Sequence, residues 1–337
     1  MRVYFAPLEG LTDAIYRRVH HATFGGVEKY FMPFVSPSSS LAFTSRQQAD
    51  IDPRENYGVP AVPQILCRDA ALFLEMTKLL RDAGYSEVNL NLGCPSGTVT
   101  AKGKGAGMLK DPDELARFLD AIYAKSPLPV SLKTRCGYDT IDEWPRLLRI
   151  ILCYPVYEWI LHPRTYREFY NGSPHRDFFL EAAEKAPFPV IYNGDLFRVN
   201  ECREMSRFDL MLGRGLAVNP ALAQEARGGE GLTVEALALF HDRLYREYLK
   251  WWPEHAVVGR MHGVMYYLMQ ALECPAPVKR ALRKSASADE YAEASYRVFA
   301  ESELAQDIHF TPPSHTAQSR LNWGNRTELS DRRHDNV

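Results

Sequence analysis

The sequence predicts an α/β protein, in which a (β/α)8 TIM barrel is followed by a C-terminal helical domain. Three observations predict this fold. Eight short apolar, β-branched runs recur in the first two-thirds of the 337-residue chain, helical patterns fill the gaps between them, and only helical spacing follows residue 228. Eight strands with intervening helices match the size and rhythm of a barrel. A doubly wound open sheet is the alternative with the same alternation.

Most of the eight predicted strands lack strict polar alternation, which is typical of strands buried on both faces of a parallel sheet. The runs begin, in chain order, at Val3, Val27, Val59, Glu87, Leu128, Val156, Phe188 and Phe208.

Two of the intervening helices carry recognisable start signals. Asp69 is placed to cap a helix that ends at Gly84, and Asp111-Pro112 opens another helix with a capping acid and a proline in its first turn. Apolar residues recur at helical spacing in both segments. They are Leu72, Phe73, Met76, Leu79, Leu80 and Ala83 in the first, and Leu115, Phe118, Leu119, Ile122 and Tyr123 in the second.

The alternation of strand and helix patterns ends at Gly228-Gly229, and we divide the chain into two domains there. Residues 1–228 form the predicted barrel domain and residues 229–305 the predicted helical domain, in which no strand is expected between Leu232 and Leu304. Residues 306–337 are rich in polar residues and poor in large apolar ones, so we expect a tail that is disordered or loosely docked.

Composition excludes several classes of protein. The 40 Lys and Arg residues are balanced by 42 Asp and Glu residues, so no overall basic field attracts nucleic acid and any such partner must meet a local patch. No stretch approaches the roughly 18 apolar residues that span a bilayer. The six cysteines contain no CxxC motif, so we expect reduced thiols and no metal site. Reduced thiols are typical of a cytoplasmic protein. We further take the protein to be monomeric.

Polar residues follow seven of the eight predicted strands. The side chains at these ends form the active site of a barrel, so we take them as the candidate site. They are Pro7, Leu8 and Glu9 after strand one, Gln64 after strand three, Asn91 and Cys94 after strand four, Lys133 and Arg135 on strand five, His162 on strand six, Asn193, Gly194 and Asp195 after strand seven, and Gly213 and Arg214 after strand eight.

The glycine-rich ends of strands seven and eight favour a phosphate site. Gly213 and Gly215 permit close backbone approach, and Arg214 supplies a charged fork for phosphate oxygens. The alternative is that these glycines only make tight turns. Lys133 places a cation in the barrel mouth, which suits an anionic cofactor ring, although a rim salt bridge is the alternative. His162 lacks a second ligand at metal spacing, so we reject a metal role for it.

Cys94 is the candidate acid or nucleophile of the site. It opens a loop with the sequence AKGKGAG at residues 101–107, which we expect to be flexible and basic through Lys102 and Lys104. Nearby lysines can lower the pKa of a thiol. A buried, inert cysteine is the alternative, because that is the commonest fate of a free cysteine.

The motifs together resemble the tRNA-dihydrouridine synthases, a family of flavoproteins with an FMN-binding barrel and a C-terminal helical domain. The matching segments follow the family's order over nearly the whole barrel. They are APLEGLTDAIYRR at 6–18, NLNLGCPSGTVTAKGKGAGML at 89–109, PVSLKTRCGY at 129–138, HPRTYREFYNG at 162–172, PVIYNGDL at 189–196 and LMLGRGLAVNPAL at 210–222.

The resemblance implies an FMN-dependent oxidoreductase that reduces the C5–C6 double bond of uridine in tRNA. NADPH would reduce FMN, flavin N5 would deliver hydride to C6, and Cys94 would donate the proton to C5. Pro7, Leu8 and Glu9 would line the flavin ring, and Asn91 and Arg135 would face the substrate base. The other cofactor contacts would come from Gln64, Lys133, His162, Asn193, Gly194, Asp195, Gly213 and Arg214. Glu9, Pro163 and Tyr192 depart from the residues usual in the family.

The resemblance also implies a tRNA-binding surface, because the uridine must be turned out of the RNA stack to be reduced. Candidate phosphate contacts are Lys102, Lys104, Lys279, Arg280, Arg283 and Lys284, and Arg260 and His262 are expected to join them. The alternative for residues 279–284 is a solvated helix face. Other functions left open are a small-molecule FMN dehydrogenase or ene-reductase, a catalytically silent tRNA-binding protein, and a flavin-free phosphate-binding lyase or isomerase.

Overall fold

A computed structural model describes residues 1–38, 41 and 43–311 of the chain. Nine parallel strand segments form one sheet in the order β3-β2-β1-β9-β8-β7-β6-β5-β4. Their bounds are β1 (Val3–Phe5), β2 (Lys29–Phe31), β3 (Ala61–Val62), β4 (Gln64–Ile65), β5 (Val88–Leu92), β6 (Val130–Gly137), β7 (Trp159–Thr165), β8 (Val190–Tyr192) and β9 (Asp209–Leu212).

The two edges of this sheet belong to one bent stretch of chain. Only Pro63 separates β3 from β4, and a proline has no N–H to continue a ladder. An isolated parallel bridge between Val35 and Ile65 brings the chain after β2 onto β4. The sheet is therefore a nearly closed, TIM-barrel-like cylinder. All eight predicted strands are present in it, and the open-sheet alternative is wrong.

Helices cover the outside of the barrel and follow it in the chain. Those up to residue 226 are α1 (Ala14–Thr23), α2 (Ser45–Ile51), α3 (Ala70–Asp82), α4 (Gly97–Thr100), α5 (Pro112–Tyr123), α6 (Trp144–Ile151), α7 (Arg176–Lys185), α8 (Val199–Glu204), α9 (Arg214–Val218) and α10 (Leu222–Ala226). The later ones are α11 (Val234–Leu249), α12 (Glu254–Leu268), α13 (Ala276–Lys284) and α14 (Ala288–Ala300).

Both predicted helix caps are confirmed. The Asp69 carboxylate accepts a hydrogen bond from the Leu72 amide at 3.0 Å, and Asp111 accepts from the amides of Asp113 and Glu114 at 3.0 Å each. Leu79 belongs to the apolar stripe of its helix but is 37% exposed. It lies at the edge of the apolar stripe, where spacing alone does not separate a buried position from a boundary one.

The barrel has two apolar layers because alternate side chains of a strand point to opposite faces. Val3 and Phe5 pack outward against the helices, whereas Tyr4 and Ala6 point inward. A small internal cluster fills part of the barrel with residues from six strands or their ends. Its members are Tyr4, Ala6, Phe31, Val62, Ile160, Ile191 and Met211.

The chain after residue 233 departs from the prediction in one place. A two-residue antiparallel ladder joins β10 (Leu272–Glu273) to β11 (Glu303–Leu304), where no strand was expected. At the start of the predicted tail, Asp307 forms a salt bridge with Arg198 of the barrel, so the first residues of the tail are docked. Residues 312–337, for which disorder was expected, lie outside the described residues.

A buried ion pair joins α12 to the segment that precedes α1. Arg260 pairs with Asp13 and donates to the carbonyls of Gly10 at 2.9 Å and Leu11 at 3.1 Å. The Tyr248 hydroxyl donates to the same Asp13 carboxylate at 3.1 Å. Arg260 was expected to contact RNA, but its side chain is largely buried and both terminal guanidinium nitrogens are bonded inside the protein.

We expect Arg260→Leu to lower the free energy of unfolding by about 3 kcal/mol, because it leaves the Asp13 carboxylate buried without its partner. Urea unfolding followed by circular dichroism measures the change. Arg297→Leu is the matched control, since it removes an arginine from an exposed pair with Glu301 on α14. The control should stay close to wild type, and equal losses in the two variants would contradict the assignment.

Candidate active site

The polar strand ends surround a cavity of about 360 Å³ at the carboxyl end of the barrel. The carboxyl ends of all parallel strands meet on this side, which explains why residues so distant in sequence come together. The cavity is lined by every residue predicted for the cofactor and by the three others at the strand ends. Those residues are Pro7, Leu8, Glu9, Gln64, Asn91, Cys94, Lys133, Arg135, His162, Asn193, Gly194, Asp195, Gly213 and Arg214.

Cys94 lies in a turn that is held from both sides. The Asn91 side-chain oxygen accepts hydrogen bonds from the amides of Gly93 at 3.1 Å and Cys94 at 2.9 Å. On the other side, Gly105 has a φ of +58° and sits so close that a Cβ there would lie 3.0 Å from the Cys94 carbonyl oxygen. The glycine therefore permits the loop to pack directly against the cysteine.

The loop that was expected to be flexible is partly buried. Residues Gly105–Lys110 form a 3-10 turn in which all but the last residue are buried. The ammonium of Lys104 donates to the Ser36 hydroxyl at 2.7 Å, so this lysine ties the loop to the chain after β2. Lys102 is exposed at the surface of the loop. Neither lysine lines the cavity.

The pKa of the Cys94 thiol lies above its ordinary value because burial disfavours the thiolate. A backbone hydrogen bond from Ser96 and the charge of Lys133 oppose this rise with smaller effects. The predicted lowering by Lys102 and Lys104 is therefore wrong in direction. The thiol is protonated at neutral pH, which suits a proton donor better than a nucleophile.

Beneath Cys94, a chain of hydrogen bonds runs down the barrel interior. Asn91 donates to Gln64 at 2.7 Å, and Gln64 donates to Asn89 at 2.7 Å. Asn89 in turn donates to Ser131 at 2.9 Å. Both polar ends of the Asn91 amide are used in this chain and in the Cys94 turn. Its predicted contact with a substrate base stays a prediction.

Lys133 is a cation without a counterion. Its side chain is largely enclosed, and none of the described residues offers it a hydrogen bond or a salt bridge. Burial and the neighbouring charge of Arg135 lower the pKa of Lys133 to about 8. A buried ammonium without a partner is costly, so the cavity is built to receive an anion or a strongly polarised oxygen.

His162 is neutral in this environment. Burial is the main reason why its pKa lies far below the usual value, and the charges of Arg135 and Lys133 add to the effect. One guanidinium nitrogen of Arg164 lies 3.2 Å from His162 Nε2. The ring can therefore accept a hydrogen bond from Arg164 and present its other nitrogen to a ligand.

Arg135 connects main-chain segments beside the cavity through hydrogen bonds. Its guanidinium donates to the carbonyls of Gly93 at 3.0 Å, Thr165 at 2.7 Å and Phe169 at 2.8 Å. These bonds join the turn of Cys94 to the loop after β7. Its predicted contact with a substrate base stays a prediction, since the described bonds are all to main-chain oxygens.

Asp195 links two arginines at the end of the cavity that the segments after β8 and β9 form. One of its oxygens accepts from Arg164 and the other from Arg214, both at 2.6 Å. Two nearby glycines tolerate no side chain. A Cβ on Gly194 would lie 2.4 Å from the Tyr192 hydroxyl, and one on Gly215 would lie 2.4 Å from the Leu196 carbonyl oxygen. Close main-chain packing and two guanidinium groups make this end suitable for a phosphate.

The departures from the family pattern are accommodated. The Glu9 side chain is 57% exposed at the mouth, with Arg46 at 3.7 Å, so its carboxylate need not enter the cavity. Tyr192 is fully buried beneath Gly194 and packs on Phe179 with ring centres 5.0 Å apart. Pro163 accepts a hydrogen bond from the His175 amide at 2.7 Å, which fixes the loop after β7.

Several site residues were not predicted from the sequence. Arg164 stands at a strand end and could have been included by the rule used for His162. The others come from loops or from α12, where neither spacing nor residue type marks them. They are Ala6, Pro33, Phe34, Gly93, Pro95, Tyr170, Leu196, Phe197 and Tyr267.

The cationic cluster on α13 lies away from the cavity. Arg280, Arg283 and Lys284 are exposed and Lys279 is partly exposed, and none of the four forms a salt bridge within the described ranges. His262, which was expected to join them, is hydrogen-bonded to the Ser285 carbonyl oxygen at 3.0 Å.

Among the described residues there is neither a candidate metal site nor a helix that could span a membrane. No group of three or more His, Cys, Asp or Glu side chains is arranged to hold a metal ion, and no helix is long and apolar enough to cross a membrane. All six cysteines are free.

Comparison with known proteins identifies the family of this site. Residues 4–242 match the family described as dihydrouridine synthase (Dus). A tRNA-dihydrouridine(16) synthase of Pseudomonas putida is 32% identical over 260 residues, which cover 72% of this chain and 79% of the relative. A probable tRNA-dihydrouridine synthase of Staphylococcus epidermidis is 30% identical over 267 residues, which cover 73% and 78%. The chain therefore belongs to the dihydrouridine synthase family.

Proposed function

We propose that this protein reduces the C5–C6 double bond of uridine in tRNA, with FMN held in the barrel cavity and NADPH as the reductant. The observation that carries the proposal is the pairing of a buried cation without a counterion, Lys133, with a protonated thiol, Cys94, in the same cavity. The family match favours this function over the small-molecule reductase, the silent RNA-binding protein and the phosphate-binding lyase.

The residues of the cavity fit FMN. A volume of about 360 Å³ falls in the range of small-molecule sites. Lys133 would neutralise the polar edge of the flavin ring, and Arg214 and the main chain near Gly213 would hold the phosphate. Gln64, His162 and the segment 193–195 also line the cavity. When bound, FMN would supply the hydride, because no amino-acid side chain carries one.

Cys94 is the proposed proton donor to C5 of the uracil ring. A general acid must be protonated before the reaction, and burial keeps the thiol in that state at neutral pH. Asn91 and Gly105 fix the turn that carries the cysteine, so its position does not depend on the bound RNA. The other five cysteines do not line the cavity.

The C-terminal helices form the proposed tRNA-binding domain, residues 229–305. Four cations on one short helix, α13, without acidic partners in the described chain provide a local phosphate-binding surface. Such a surface reconciles RNA binding with a formal net charge of -2. We further propose that the protein acts as a monomer in the cytoplasm.

We expect Cys94→Ala to reduce dihydrouridine formation in tRNA by at least about 100-fold, the usual contribution of a general acid. Reduction of the bound flavin by NADPH should continue at the wild-type rate, because that step needs no proton from this thiol. Mass spectrometry of nucleosides and stopped-flow absorbance measure the two steps separately.

Cys153→Ala is the matched control for the thiol, since Cys153 is exposed and remote from the cavity. The control should retain wild-type activity on tRNA. If Cys94→Ala formed dihydrouridine at the wild-type rate, Cys94 would not be the acid.

We expect Lys133→Met to have opposite effects on stability and on cofactor binding. Burial lowers the pKa of Lys133 from about 10.5 to about 8, so the charged lysine destabilises the folded apoprotein below pH 8 and this penalty disappears as the pH rises. Apoprotein carrying Lys133→Met should therefore be more stable than wild type by about 2–3 kcal/mol at pH 7, and by less at pH 9.5. Its FMN affinity should fall.

Urea unfolding of the two apoproteins at the two pH values measures the stability, and flavin fluorescence quenching measures FMN affinity. A variant less stable than wild type at pH 7 would show that Lys133 has a partner in solution. Unchanged FMN affinity would remove Lys133 from the cofactor site.

We expect alanine at Lys279, Arg280, Arg283 and Lys284 together to raise KM for tRNA at least about tenfold at moderate salt, because each lost phosphate contact weakens binding. The dependence of tRNA affinity on salt should become shallower, and NADPH-driven flavin reduction should not change. A variant with alanine at Lys78 and Arg81 removes exposed cations from α3 instead. Equal effects in both variants would refute a specific surface on α13.

A further inference from the structure

The chain turns back to the barrel after its last strand. The Ala305 amide donates to the Ala271 carbonyl at 2.9 Å, and the Thr311 amide donates to the Gln270 side chain at 2.7 Å. Between these anchors, Asp307 accepts two hydrogen bonds from the guanidinium of Arg198, at 2.5 and 2.7 Å. We call residues 305–311 the C-terminal strap. Both ends and the middle of the strap are attached to the rest of the protein.

The strap carries Phe310 to the phosphate end of the cavity. The guanidinium carbon of Arg214 lies 4.9 Å from the centre of the Phe310 ring, and 4.5 Å from that of Tyr170. Phe310 also packs against Phe197 and Tyr267, with ring centres 6.0 Å apart in each case. Both of these neighbours line the cavity, whereas Phe310 itself does not.

We propose that the C-terminal strap is part of the cofactor site, and that Phe310 is a positioning residue that holds Arg214 for the phosphate of FMN. This proposal rests on the proposed function, because it requires FMN in the cavity. The family match ends at residue 242, so the strap is a feature of this chain that the match does not describe.

The contacts of Arg214 explain why such support is needed. An arginine has five N–H donors, and only one hydrogen bond of Arg214, to Asp195, is formed within the described residues. The remaining donors are available for phosphate oxygens. A long side chain with one hydrogen bond would sample many rotamers, and contact with aromatic faces limits them at little cost in available donors.

The strap also supports Arg214 indirectly, through its salt bridge with Arg198. Arg198 lies just before α8 and follows the segment 193–197, which lines the cavity. The pair of Arg198 with Asp307 therefore fixes the strap to the loop that carries Asp195. Weakening this anchor should disturb Arg214 without changing any residue in contact with it.

The test compares FMN with riboflavin, which lacks the phosphate. Apoprotein is titrated with each flavin, and Kd is measured by fluorescence quenching. We expect Phe310→Ala to raise Kd for FMN about three- to tenfold and to leave Kd for riboflavin within twofold of wild type. Phe310→Tyr, which keeps an aromatic face, should restore FMN binding. Asp307→Asn should weaken FMN binding in the same selective way.

Tyr296→Ala is the matched control, because it removes a 73% exposed aromatic ring from α14. Thermal unfolding of each apoprotein shows whether a variant is folded. Equal losses of FMN and riboflavin affinity in Phe310→Ala would mean that the strap only packs, and an unchanged Kd for FMN would mean that it does not act on Arg214. Either result overturns the proposal. If wild-type apoprotein binds neither flavin, the FMN assignment fails and the strap proposal falls with it.

Discussion

The position of the Cys94 thiol depends on a directed chain of hydrogen bonds inside the barrel. The chain starts at Glu87, which can only accept, so the Ser131 hydroxyl must donate to it, at 2.7 Å. Ser131 then accepts from Asn89, and each following amide is oriented by the one below it. The last carbonyl of the chain, on Asn91, therefore faces the amide of Cys94. One carboxylate near the floor of the barrel thus sets the orientation of every amide up to the site.

The charged residues at the bottom of the barrel explain how its interior can contain so many polar groups. Lys29 pairs with both Glu87 at 2.6 Å and Glu158 at 2.9 Å, so neither carboxylate is buried without a cation. Buried polar groups are tolerated when each is satisfied. Lys133, higher in the same interior, breaks this pattern, since none of the described residues pairs with it. The contrast marks the place where the protein leaves room for a ligand.

The barrel and most of its site followed from local patterns. Apolar runs, the caps at Asp69 and Asp111, and the rule that strand ends carry the chemistry needed only short-range information. The contributions of Tyr267 and of the chain after residue 305 could not be predicted in this way. Their contacts with the barrel join segments more than fifty residues apart, and no periodicity encodes such a contact.

The wrong prediction for the pKa of Cys94 has a physical cause. Proximity in sequence suggested that Lys102 and Lys104 lower the pKa of Cys94, but Lys104 turns away to Ser36 and Lys102 to solvent, while burial raises the pKa. The effect of a charge depends on its distance and on the surrounding dielectric, and sequence gives neither. The raised pKa favours one of the two chemical roles considered for the thiol, that of a proton donor. A thiol kept protonated by burial is a poor nucleophile at neutral pH, whereas it holds the proton that a reduction of a carbon–carbon double bond must receive.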